Sequence, residues 1–493
     1  MTFAGLSDFI DDLEHAGELK RVTAQVDPNL EIAEILRRGM YESKSALLFE
    51  NVKGYDIPIA GNLFGSERRM RIALGLSNVD GTNNSGYYSG FDDLGKRITD
   101  LLSMDMPSSL FDKIRTLPKL AELAGFAPKV VSRGPVCEVV ETKNPSLSFI
   151  PALKSWPKDA GRFITLGFAI TRNPETKLRN MGVYRLQIID EKTTLMHWQI
   201  HKRGSLHYKM NQQKGVRTEV AVVIGADPAT VYSAVAPVPE GLDKMLFSGI
   251  MRKKGMELVK CQTVDLEVPA NSEIVLEGYV DPTETRLEGP FGDHLGYYTQ
   301  AEEYPVFHVT AVMRKEKPIY LTTVVGKPIL EDAYIGKVIE RTFLPLIRVF
   351  HPEIVDIDFP SAGCFQGMVI VSIKKMYPGQ ARKVMLGLWS MGQLMLTKIV
   401  IVLDEDVNIH DMDQVIWAVT TRADPARDFV IIDKLPTDTL DLSSSLLNLG
   451  SKFGIDATVK SRDEGYDREW QEVVSPDSET ASLVTNRWKE YGI

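Results

Sequence analysis

Between Val136 and about Thr323 the sequence carries one short β-like run after another: Ile164 to Ile170, Gly182 to Ile189, Thr194 to Ile200, Val220 to Ile224, Glu273 to Tyr279 and Phe307 to Met313. Gly, Pro and Asp punctuate these runs, and no long helical pattern separates them. Parallel strands need crossover connections of a dozen or more residues, usually helical, so this stretch is predicted to form an antiparallel barrel or sandwich. The flanks differ. Upstream, Phe9, Ile10 and Leu13 share one helical face, with Ser7 as N-cap and Gly17 as stop signal. A second helix is expected from about Leu30 to Arg38, then short strands at Ala46 to Glu50 and Ile57 to Ala60 around a Lys53-Gly54 turn. Residues from about Asp105 to Pro128 are Pro-rich and strandless, and read as a connector. Beyond about Ile329, strands at Ile354 to Phe359, Met368 to Ile373, Ile399 to Leu403 and Phe429 to Ile432 alternate with amphipathic helices such as Arg382 to Leu396, with a last helix from Ser478 to Tyr491. The expectation is an α+β multidomain chain with an α+β unit over 1–125, a mostly β unit over 126–328 and an α/β unit over 329–493.

Charge narrows the ligand. The 493 residues hold 57 Lys+Arg against 66 Asp+Glu, a net charge of −9, which gives no global attraction to nucleic acid or anionic lipid. A phosphate ligand must therefore meet a local basic cluster. The longest charge-free stretches, Phe359 to Ile373 and Val384 to Thr397, are too short to cross a bilayer, and the N-terminus shows no export signal, so a cytoplasmic location is expected. Cys137, Cys261 and Cys364 form neither a disulfide framework nor a CxxC pair and are expected to be small buried residues. No Walker loop, GxGxxG, HExxH or GxSxG motif is present.

Three segments carry chemistry. In Leu287-Glu288-Gly289-Pro290-Phe291-Gly292-Asp293-His294, two carboxylates flank a turn that could fold them together. Two acids in one pocket tend to titrate apart, one ionised and one able to donate a proton; a surface turn with solvated acids has the same spacing. In Asn180-Met181-Gly182-Val183-Tyr184-Arg185-Leu186-Gln187, strand alternation puts Val183, Arg185 and Gln187 on one face, where Arg185 grips either a ligand carboxylate or Glu288. In His197-Trp198-Gln199-Ile200-His201-Lys202-Arg203-Gly204, three potential cations at a strand end suit a phosphate monoester, with Asn180 and His201 able to bind a bridging metal; a solvated basic turn is the alternative.

Together with Gly225 to Pro228, Pro237 to Pro239, Glu273 to Tyr279, Thr420 to Asp428 and Leu449 to Lys452, these segments resemble the UbiD family of prenylated-flavin-dependent decarboxylases across essentially the whole chain. The likeness is strongest to the branch acting on 4-hydroxy-3-polyprenylbenzoate in ubiquinone biosynthesis. It implies a central split β-barrel of flavin-reductase type and a C-terminal domain mediating homo-oligomers, dimer or hexamer. It implies prenylated FMN as cofactor, supplied by a flavin prenyltransferase and held through its phosphate by a divalent metal (Mn²⁺ or Mg²⁺) and a monovalent cation such as K⁺. The implied reaction is loss of CO₂ from an aromatic or α,β-unsaturated acid through a covalent flavin adduct. By position, Arg185, Glu288 and Asp293 would be the catalytic network, with Asp293 the proton donor. Cofactor contacts would fall on Val183, Tyr184, Arg185, His197, Trp198, Gln199, His201, Lys202 and Arg203, and metal ligation on Asn180, assisted by His201. A polyprenylated substrate would need an apolar channel and peripheral membrane contact, and Leu440 to Leu447 is a candidate lining segment.

One departure stands out. Where the family places a metal-binding Glu, register through Glu240-Gly241-Leu242-Asp243 puts Lys244. An ammonium has no lone pair for a metal. Either Lys244 contacts the phosphate itself, or Asp243 takes over as ligand, or cofactor binding is lost, which would leave a non-catalytic scaffold. A reductase using plain FMN is a third class that the barrel type alone would allow.

Overall fold

The computed structural model describes residues 3–76, 89–102, 121–327 and 330–492. Most of the expected connector from Asp105 therefore lies outside the described residues. The first helix, Leu6–His15, buries Leu6, Phe9, Ile10 and Leu13. It starts before Ser7: Gly5 holds the N-cap position and no side chain caps the turn. Helix Glu31–Tyr41 lays Ile32, Ala33, Leu36 and Met40 against Leu47, Phe49 and Ile59 of a small sheet. That sheet runs Leu19–Val22, Ala46–Phe49, Ile59–Gly61, and is completed by Tyr320–Leu321, where the chain returns after the barrel.

The central sheet is antiparallel and has nine strands among the described residues. Its order is Phe163–Ile164, Leu186–Ile188, Thr193–Met196, Glu302–Arg314, Ile274–Glu288, Thr218–Ile224, Phe168–Arg172 and Arg179–Val183, with Val139–Glu141 beside Glu302–Arg314. Two expected runs are each broken in two. The break at Tyr184-Arg185 shapes the molecule, because Val183 ends the last strand of that order while Leu186 opens the second. Three residues reach at most about 11 Å, so the two ends of the sheet must curl towards each other. The result is a split barrel with Arg185 at the seam.

The 15-residue strand Ile274–Glu288 supplies the curvature through register shifts at Glu277/Gly278 and between Val280 and Thr285. A Cβ on Gly278 would lie 1.9 Å from the His308 carbonyl oxygen. Gly278→Ala is therefore expected to cost about 1–3 kcal/mol, read as a lower urea midpoint, because only the strands themselves can yield. An unchanged midpoint would mean the strands separate freely there.

Three helices interrupt the β region, contrary to expectation: Arg203–Gln213, Pro228–Val235 and Lys244–Arg252. The first has almost no apolar stripe, burying Gly204, Ser205, His207, Tyr208 and Asn211, and the second is buried all round, so neither shows a clear 3.6-residue alternation. The C-terminal unit is a mixed five-stranded sheet, Ile354–Asp358, Met368–Ile373, Ile399–Asp404, Leu449–Asp456 and Phe429–Pro436, parallel across its centre. Helix Gln380–Trp389 stops seven residues short of expectation and continues as a 3₁₀ turn, Gly392–Leu396. The cysteines are half-buried rather than buried, and all three are free thiols. Among the described residues no helix is long and apolar enough to cross a membrane.

Candidate active site

Strand Ile274–Glu288 ends at the barrel mouth, and the chain turns at once through Gly289, at φ +90°, which a side chain would resist. Gln187 Oε1 accepts from Gly289 N at 2.8 Å, and Asp159 Oδ1 accepts from Gly292 N at 2.8 Å while its other oxygen accepts from Ser155 N and Trp156 N. The turn is thus pinned at both ends, which fixes where Glu288 and Asp293 point. Both meet Arg185. Its Nε donates to Glu288 Oε1 at 2.7 Å and Nη2 to Oε2 at 2.9 Å, a bidentate fork, while Nη1 donates to Asp293 Oδ2. Nη2 also reaches Thr299 Oγ1 at 3.3 Å, and the guanidinium carbon lies 4.7 Å from the Phe291 ring centroid. Glu288 is fully buried, and Arg185, Asp293 and His197 are nearly so. His197 Nδ1 lies 3.3 Å from Glu288 Oε2.

Burial alone would raise both acids, but their partners prevail. Hydrogen bonds from Arg185 and His197 bring Glu288 down to about 2, and the charge and hydrogen bond of His294, with help from Arg185, hold Asp293 well below the usual carboxylate range. The two acids therefore do not titrate apart as the turn motif suggested: the cation between them keeps both ionised. His294 Nδ1 sits 2.9 Å from Asp293 Oδ1; burial would lower it, yet Asp293 foremost, then Asp332 and Asp438, raise it to about 9. Burial and the Arg185 charge lower His197 and keep it neutral.

Stability should follow these directions. A depressed acid contributes above its unfolded value, so the Glu288 contribution is complete above about 4.5 and is lost as pH falls towards 2. A raised imidazole contributes below its unfolded value, so the His294 contribution is complete below about 6.5 and is lost as pH rises through 9. Urea midpoints should decline between pH 6.5 and 9, and His294→Asn should flatten that decline. An unaltered slope would show that the ion pair does not titrate there.

Arg185, His197 and Asp293 line a pocket of about 240 Å³ with Tyr297, Tyr298, Tyr304 and the Thr439–Asn448 loop, which brings the anticipated Leu440 to Leu447 segment to the same pocket as Arg185 and Asp293. Farther along the barrel, Tyr184 Oη accepts from Gly204 N at 3.1 Å, Asn180 Nδ2 lies 3.5 Å from the same hydroxyl, and the Tyr184 and Trp198 rings meet edge to face. His197 Nε2, Trp198 Nε1 and His201 Nε2 are buried with no hydrogen-bond partner among the described residues. Buried polar groups rarely stay unpaired, and a polar planar ligand at this wall would satisfy them. The residues therefore fit a flavin. Val183 packs on the part of the core that holds Phe168, Met181 and Ala221, and the Gln199 carbonyl accepts from Lys202 N.

At the strand end, Arg203 Nη2 donates 2.7 Å to Val238 O and Lys244 Nζ donates 2.8 Å to Ala234 O, both bracing the turn around Pro237 and Pro239. Asp243 is already engaged: Oδ1 caps helix Lys244–Arg252 at Met245 N, and Oδ2 accepts from Arg179 Nη2 at 2.7 Å. Asn180 and His201 have different surroundings, Tyr184 for the first and the Thr437-Asp438 backbone and charge for the second. Sequence reading left His294 without a role although it adjoins Asp293. It had no signal for Asp159, Thr299 or Tyr304, which approach the site only through folding.

Fold and site together define a multidomain protein on a split β-barrel, with a buried arginine–carboxylate network beside a pocket. The chain belongs to the UbiD family of carboxy-lyases: models of the 3-octaprenyl-4-hydroxybenzoate carboxy-lyase N-terminal, Rift-related and C-terminal domains match residues 10–84, 129–328 and 333–457. An uncharacterised protein of Archaeoglobus fulgidus is 52% identical over 491 residues, 99% of each chain, and one of Aquifex aeolicus 46% over 494 residues, 100% of this chain and 99% of that one. Among solved structures, the vanillic acid decarboxylase of Sedimentibacter hydroxybenzoicus in closed form is 28% identical, with a TM-score of 0.88 over 99% of each chain. The UbiD-class enzyme HmfF of Pelotomaculum thermopropionicum in complex with FMN is 27% identical, with a TM-score of 0.78 over 98% of this chain and 99% of that one.

Proposed function

We propose that this chain removes CO₂ from an aromatic carboxylic acid at the Arg185–Glu288–Asp293 network, with prenylated FMN bound along the wall formed by Tyr184, His197, Trp198 and His201. The observation that carries this is the buried guanidinium held between two carboxylates, which with Asp293 lines a pocket. Losing CO₂ from an sp² carbon leaves charge that side chains cannot delocalise, and the modified flavin, when bound, supplies that electron sink. The protein does the rest. Arg185 orients the substrate carboxylate or Glu288. Asp293 protonates the carbon, and since it is ionised at rest it must first take a proton, for which the His294 imidazolium 2.9 Å away is the source. Neutral His197 fixes the second Glu288 oxygen.

The acid is read as 4-hydroxy-3-polyprenylbenzoate, giving the polyprenylphenol. About 240 Å³ suits the ring end of such a molecule, and Leu442, Leu446 and Leu447, all more than half exposed on the lining loop, offer apolar surface along which a tail would leave. The same volume favours a smaller, unprenylated acid as the second reading. This reading includes supply of the cofactor by a flavin prenyltransferase, self-association through residues 329–493, and peripheral membrane contact if the tail is long. CO₂ release from a panel of prenylated and unprenylated hydroxybenzoates, after co-expression with the prenyltransferase, separates the two. Release from neither set would reject the assignment.

A further inference from the structure

The phosphate end of the proposed flavin site gathers three basic side chains, and a lysine stands after Asp243 where a divalent metal would need a further oxygen donor beside Asn180. Lys202 is half-buried, with no salt bridge or side-chain hydrogen bond among the described residues. Among the described residues, Arg203 and Lys244 reach only backbone carbonyls, of Val238 and Ala234. Lys244 is 8% exposed, and burial together with the charges of Arg203 and Lys202 depresses its ionisation strongly. Two carboxylates face the group, Asp438 towards Lys202 and the exposed Glu240 towards Arg203, yet burial still lowers both cations. Such a concentration of positive charge costs free energy until an anion enters.

A divalent metal does not fit here. Mg²⁺ and similar ions require oxygen ligands in near-octahedral array, whereas the position at the head of helix Lys244–Arg252 presents a lysine nitrogen that supplies no oxygen and already donates to Ala234 O. Asp243 is committed to the helix cap and to Arg179. Among the described residues, the group of three His, Cys, Asp or Glu donors close enough to share an ion is Glu340, Asp358 and His410, in another part of the chain, and Lys337 and Arg341 already neutralise its acids. Adding two positive charges beside Lys202, Arg203 and Lys244 would deepen their repulsion.

We propose that Lys202, Arg203 and Lys244 grip the flavin phosphate directly, and that this chain loads its cofactor without the divalent metal its family resemblance implies. The proposal rests on the flavin reading above. Lysine is a competent point-charge phosphate binder, so one ammonium can assume part of the charge a metal would bring.

The test uses protein co-expressed with the prenyltransferase in manganese-supplemented medium and dialysed against EDTA, with flavin measured by absorbance and metal by elemental analysis of the same sample. Retained flavin with metal far below one equivalent is expected. Stoichiometric manganese that leaves together with the flavin would overturn the proposal while preserving the flavin reading. Absence of flavin before dialysis, with no FMN uptake by the apoprotein, would overturn both. In titrations of apoprotein, FMN should bind more tightly than riboflavin. Lys244→Met should weaken FMN binding about 10- to 100-fold, the range of one charge-assisted hydrogen bond, and leave riboflavin binding unchanged. Loss of both ligands would indicate misfolding, in which case the metal-to-flavin ratio of the unaltered protein decides. Lys244→Glu should make flavin retention sensitive to EDTA, and EDTA-insensitive retention there would contradict the assigned position.

Discussion

Arg185→Ala is expected to slow CO₂ release about 10²–10³-fold, the loss typical of removing one preorganised charged donor from an active site, and to destabilise the fold by about 3–5 kcal/mol. The two effects share a cause. Arg185 is the cation common to Glu288 and Asp293, and its removal leaves two buried carboxylates with one guanidinium fewer than they need. Protonation is their cheapest escape, so the variant's stability should no longer fall as pH drops from about 4.5 towards 2. Arg185→Lys should recover little turnover, since a single ammonium cannot reproduce the bidentate fork to Glu288. Turnover and urea midpoints measured together check the expectation. A stable, active Arg185→Ala protein would show that the network is ornamental.

Asp293→Asn should lower turnover about 10²–10⁴-fold, the usual contribution of a positioned proton donor, while the bound-flavin spectrum is retained. The amide keeps the shape of the carboxyl but cannot carry the proton. It also removes the charge that holds His294 up at about 9, so the imidazole signal followed by NMR should titrate nearer its ordinary value of 6.5. An unchanged His294 titration would mean that Asp332 and Asp438 dominate it instead. Unaffected turnover would remove Asp293 from the chemistry.

Much of the site was legible because its parts lie in short, dense segments. Glu288 and Asp293 flank one turn, and Arg185 sits two positions from Gln187, which ties the same turn from the opposite side. Sequence could suggest that these groups meet. It could not show that Arg185 would lie between the acids and hold both ionised, because that depends on a strand breaking at Tyr184-Arg185 and on the sheet curling to bring its ends together. Nor could it reveal Asp159, whose carboxylate pins Gly292 from 133 residues away. The antiparallel character of the middle region followed from spacing, whereas helix Arg203–Gln213 escaped notice because its buried face is made of Gly, Ser, His, Tyr and Asn. At Lys244 the sequence left three outcomes open. The Asp243 helix cap and its Arg179 contact weigh against one of them, and the three gathered cations favour direct phosphate binding.

Solvent-deuterium exchange probes the core of the mechanism most directly. The cofactor-loaded protein is incubated in D₂O with the phenol formed from whichever acid releases CO₂. One deuterium is expected at the carbon that bore the carboxylate, entering roughly 100-fold more slowly with Asp293→Asn or Arg185→Ala, the scale of a lost general acid. Exchange at undiminished rate in both variants, or at a different carbon, would contradict proton delivery from this network.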